Sequence, residues 1–106
     1  MAAETKWTPG PWALETVQTT CGSCHKIGSF PSAGARKEVP ACVYADNIRI
    51  GLDEGSPIAV ELLANARLIA AAPDLYEALQ RLEQFGHTDA TWDFALRAMA
   101  KARGDA

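Results

Sequence analysis

The chain has 106 residues, a length that fits one domain. Apolar residues at 48% and charged residues at 22% exclude a disordered polymer. The net charge of −3 excludes the broad basic surface that duplex nucleic acid or an anionic membrane requires.

The opening residues 1–7 lack a charged region followed by an apolar one, so no signal peptide is expected. Thr8-Pro9-Gly10-Pro11 predicts a turn or extended lead-in, because each proline fixes φ and removes a donor. Residues 12–21 predict a strand rich in β-branched Thr16, Val17, Thr19 and Thr20. Gly22-Ser23 fits a two-residue hairpin turn, and residues 24–30 return as its partner strand. Residues 31–37 read as a loop, 39–45 as a third strand, and Ile48, Ile50 and Leu52 alternate as a fourth.

Composition changes near Gly55, from Thr, Val, Ile, Gly and Pro to Ala, Leu and Glu. Ser56-Pro57 predicts a helix start, with serine as cap and proline at the first helical position. Ile58, Leu62, Leu63, Ala66, Ile69 and Ala70 form its apolar face. Pro73 ends this helix or restarts it as a second, whose stripe is Leu75, Leu79, Leu82 and Phe85 before Gly86. Thr88 or Asp89 caps a third, with Trp92, Ala95, Leu96 and Met99 on one face. The expected fold is α+β: a small antiparallel sheet of three to four strands over 7–52, with two to three helices over 56–103 packed on one side.

Cys21-Gly22-Ser23-Cys24-His25 matches the spacing of c-type haem attachment, with His25 as axial ligand. Zinc is the second reading: Cys21, Cys24 and Cys42 with His25 or His87 supply thiolate and imidazole donors. The third is that no cofactor is bound and the cysteines are small buried groups. In a cytoplasmic setting all three are expected as thiols. Catalytic signatures are absent: there is no Gly-x-Ser-x-Gly, P-loop or Gly-x-Gly-x-x-Gly. Cys24 and His25, as strand neighbours, point to opposite faces and make no dyad. The longest apolar run, 64–72, is interrupted by Asn65 and Arg67, so no membrane span is expected.

Residues 63–79, LANARLIAAAPDLYEAL, together with Trp7-Thr8-Pro9-Gly10-Pro11-Trp12, resemble small phage-encoded accessory proteins. The resemblance implies a β-sheet N-terminal part and C-terminal helices; the lack of a targeting segment or membrane span predicts a place in the host cytoplasm. The layout also resembles anti-defence sponges of the anti-Thoeris type, which sequester an ADP-ribose-derived signal. On that analogy the chain is an oligomeric, non-enzymatic protein that captures a nucleotide-type molecule. Arg67, Asn65, Arg49, Tyr44 and Trp12 are the candidate ligand-binding residues, arginine being suited to clamp a phosphate. The alternatives are an inhibitor that binds a host defence complex such as a CRISPR effector, and a zinc or haem protein.

Overall fold

The computed structural model describes residues 6–19, 22–28, 41–46 and 57–105. The architecture is α+β, as the sequence predicts. Three antiparallel strands, β1 (Ala13–Thr19), β2 (Gly22–Gly28) and β3 (Ala41–Asp46), lie in the order β1-β2-β3. Three helices follow: α1 (Pro57–Ala70), α2 (Ala72–Phe85) and α3 (Asp89–Arg103).

The first hairpin differs from its expected register. Thr19 pairs with Gly22 and Gln18 with Ser23. Gly22 and Ser23 therefore belong to β2 and are not the turn. Strand pairing outweighs the local turn preference, because the shift brings Leu14 opposite Ile27, and Ile27 opposite Ala41, on the side that faces α1. The suggested fourth strand at 48–52, the loop at 31–37 and the Ser56 cap lie outside the described residues.

The sheet buries one face against α1. Ile27, on the central strand, is fully buried with Ala66 and Ala70. Trp12, Leu14, Ala41, Val43 and Ile69 pack around them. Ala66, Ala70 and Ala71 are all buried, and their small side chains let the end of α1 approach closely.

Proline punctuation sets the helix boundaries. Pro57 opens α1. Pro73 cannot donate to the carbonyl four residues back, so the helix breaks just before it, at Ala71. The Ala71 N–H is shared between Arg67 and Leu68 carbonyls at 3.1 and 3.2 Å. Leu75 N–H then donates to Ala71 O at 2.9 Å and starts α2. Asp74 in the first turn of α2 complements the positive end of that helix.

Thr88 caps α3, one of the two residues expected to do so. Its hydroxyl accepts from Thr91 N–H at 3.1 Å, and Thr91 Oγ1 accepts from Thr88 N–H at 2.8 Å. Thr91 thus takes the place of the usual glutamate in a capping box. At the other end, Gly104 N–H donates to Lys101 O and Asp105 N–H to Ala100 O, a Schellman closure with Gly104 at φ +81°.

The faces of the later helices depart from expectation. Between α2 and α3 the buried residues are Ala78, Ala95 and Ala98, with Leu75 and Phe94 packed beside them. Thr91 is also buried. Trp92, Leu96 and Met99 are instead exposed, as are Leu79 and Phe85 on α2 and Ile58 on α1. Leu75 and Ala95 of the expected stripes do lie at the contact; the larger side chains Leu79, Phe85, Trp92, Leu96 and Met99 do not. The contact surface follows the alanines, because small residues permit two helices to approach closely.

Candidate functional site

Cys24 and Cys42 sit on the sheet face turned away from α1. Cys24 pairs with Tyr44, and Lys26 with Cys42, so Cys24 and Cys42 are diagonal neighbours on adjacent strands. Their Cα atoms are 6.5 Å apart and their sulfurs are bonded. This corrects the expectation of free thiols for that pair. The expectation rested on compartment, whereas the register places the two sulfurs within bonding reach. Cys21 lies outside the described residues.

His25 is on the opposite face. Its ring nitrogen Nδ1 is 2.8 Å from Thr16 Oγ1 across the hairpin, and burial lowers its pKa below the ordinary histidine value. The described members of the proposed metal set do not converge on one ion, since period-two alternation sends His25 away from Cys24 and Cys42. As a disulfide, those two sulfurs are also unavailable for thiolate ligation or thioether formation. His87 packs against Trp92 of α3 with the rings tilted and their centroids 5.2 Å apart. Among the described residues no group of three or more His, Cys, Asp or Glu is placed to hold a metal. Among the described residues, then, Cys24, Cys42 and His25 do not form one donor set.

The candidate nucleotide-binding residues are dispersed. Trp12 is half-buried in the core cluster, and its indole N–H donates to Thr8 O at 3.0 Å. Arg67 lies across the C-terminal end of α3: a Cβ on Gly104 would fall 2.7 Å from its Cδ and Nε. There the guanidinium meets the negative end of a helix. Asn65 is exposed on α1. Tyr44 is on β3, in register with Cys24, and Arg49 lies outside the described residues.

Two segments far apart in sequence do converge. Trp7 packs edge-on against Tyr76, with ring centroids 4.9 Å apart. Gly10 approaches Pro73 so closely that a Cβ would lie 2.6 Å from the proline Cβ. Lys101 closes the junction: its Nζ donates to Trp12 O at 2.9 Å and meets Asp74 Oδ2 at 2.5 Å. The Trp7–Trp12 segment is thereby clasped to the start of α2 and the end of α3. Nothing in the sequence signals the Lys101–Trp12 contact, which spans 89 positions.

Beside this clasp an open groove of about 240 Å³ is lined by Asp74, Phe94, Arg97, Ala98 and Lys101. The Arg81 guanidinium lies 4.1 Å from the Phe94 ring centroid, and that of Arg97 5.8 Å from it. Each cation here has an acidic partner: Lys101 with Asp74, Arg97 with Asp93 at 3.1 Å, and Arg81 with Glu77 at 2.6 Å. The Glu77–Arg81 and Asp93–Arg97 pairs are legible in the sequence as i,i+4 spacing. The groove is smaller than the ~300–1,000 Å³ usual for small-molecule sites, and its positive charge is already neutralised.

The fold and surface thus define a small α+β protein whose helices present apolar side chains to solvent beside a shallow, charge-balanced groove. Among the described residues no helix is long and apolar enough to cross a membrane. The chain belongs to the family of Salmonella phage P22 protein Y8K6, whose model matches residues 1–106. It is therefore a phage protein. No curated protein and no solved structure matches it.

Proposed function

We propose that this phage protein is a non-enzymatic accessory factor that counters host defence by docking on a protein of a host defence complex. The observation that carries this reading is the exposure of Leu79 at 67% and Phe85 at 65%, on either side of half-buried Leu82 on α2. Single exposed apolar side chains are ordinary on a surface. Two such large ones, on a helix that already buries its alanine side against α3, offer anchors for a protein partner. The neutralised groove and the dispersal of Arg67, Asn65 and Trp12 favour a macromolecular partner over the capture of a nucleotide-type signal.

The test is a plating assay in which the protein is supplied to a phage lacking it, on hosts carrying individual defence systems. Wild-type protein should rescue growth on at least one such host. Leu79→Ser/Phe85→Ser should fold with an unchanged melting temperature and fail to rescue. Rescue by that variant equal to wild type would remove the docking reading. A melting-temperature rise with cyclic nucleotides or cyclic ADP-ribose isomers would instead favour signal capture.

A further inference from the structure

We infer that α3 carries a second, separate interface, on which two copies of this chain pair antiparallel about a two-fold axis through Leu96. The spacing of Asp89, Trp92, Leu96, Met99 and Arg103 is three, four, three, four, which is the seam of a two-helix coiled coil. In the folded chain this seam is not the one that faces α2. The buried residues are Thr91, Ala95 and Ala98, while Trp92, Leu96 and Met99 are 45%, 43% and 39% exposed on the adjoining flank.

Charge selects the occupant and its direction. The apolar seam is bounded by an acid at the start of α3 and a base at its end, both exposed. Antiparallel pairing centred on Leu96 sets Asp89 of one copy opposite Arg103 of the other, twice, and opposes the two helix dipoles favourably. Parallel pairing would set like charge against like at both ends. An isologous contact of this kind requires self-complementarity, which this face has within one sequence. The present partner of Arg103 is Asp105, an exposed pair at 2.8 Å that is readily exchanged. At 1.5 Å per residue the 15-residue helix is about 22 Å long, so the contact is short and the dimer concentration-dependent.

Sedimentation velocity on the full chain, from about 1 μM to about 1 mM, reads the proposal directly. A rise from monomer to dimer mass across that range is expected. Leu96→Glu places two carboxylates against each other at the axis and should leave only monomer. Asp89→Arg or Arg103→Asp alone should weaken the dimer about tenfold, because each alters two symmetry-related pairs. Asp89→Arg/Arg103→Asp should restore it, which no parallel or purely apolar contact predicts. Circular dichroism of each variant at the lowest concentration establishes that the monomer is folded. A wild-type chain monomeric throughout, a dimer indifferent to Leu96→Glu, or a double variant no tighter than the singles would each overturn the assignment. None of these outcomes bears on docking through Leu79 and Phe85, which lie on α2.

Discussion

Lys101 and Asp74 meet at 2.5 Å across the α2–α3 junction, and the same ammonium holds the Trp12 carbonyl. One side chain thus ties the start of the sheet to two helices. Both partners are less than about a third exposed, so the pair is screened less than a surface bridge. Lys101→Ala should lower unfolding free energy by about 1–2 kcal/mol, with Asp74→Asn costing somewhat less. A urea-denaturation double-mutant cycle measures the coupling, which should be about 0.5–1 kcal/mol. Zero coupling would mean that the contact does not persist in solution.

Gly10 and Gly104 should resist substitution for different reasons. A methyl at Gly10 meets Pro73 Cβ at 2.6 Å, against a rigid ring that cannot swing aside. Gly10→Ala should cost about 1–3 kcal/mol and loosen the Trp7–Tyr76 contact. Trp7 fluorescence should shift accordingly. Gly104→Ala should cost about 1–2 kcal/mol, mainly because φ is +81°. The close atoms there belong to the flexible end of Arg67, which can move.

The Cys24–Cys42 bond joins two strands across a sequence separation of 18. The chain-entropy model gives about 3 kcal/mol for a loop of that size. Adding a reductant to oxidised protein should lower the melting temperature, and Cys42→Ser should abolish that response. Differential alkylation followed by mass spectrometry reads the pairing itself. A modified Cys24 in unreduced protein would show that the bond is not formed.

His25 gives a pH dependence of definite sign. Burial lowers its folded pKa below its unfolded value of 6.5, so the unfolded chain binds the proton more readily. The stability associated with neutral His25 is fully present above pH 6.5 and is lost as pH falls through the folded pKa. Melting temperature compared between wild type and His25→Gln should therefore diverge below pH 6.5, with wild type losing more. Parallel curves would place the ring in solvent.

Much of the fold was legible because its signals are local. Pro57, Pro73, Thr88 and Gly104 mark helix ends through missing donors, hydroxyl caps and left-handed φ, and each acts within a turn of its own position. The β-branched run before Thr20 similarly announces a strand. Less of the surface was legible. Trp92, Ala95, Leu96 and Met99 have the spacing of a core stripe, yet of these the core took only Ala95, together with Ala98. Side-chain hydrophobicity identifies a face that prefers burial. It does not say which neighbour covers it.

An N-terminal sheet followed by two or three helices could be read from the residues alone, since element type depends on propensity and period over a few residues. Packing between distant segments was needed to extend β2 through Gly22 and Ser23, to bring Cys24 to Cys42, and to set Lys101 on the Trp12 carbonyl. For the strands, register decides. A one-residue shift reverses every side chain of a strand, and its choice rests on Ile27 finding Leu14, Ala41 and α1 together.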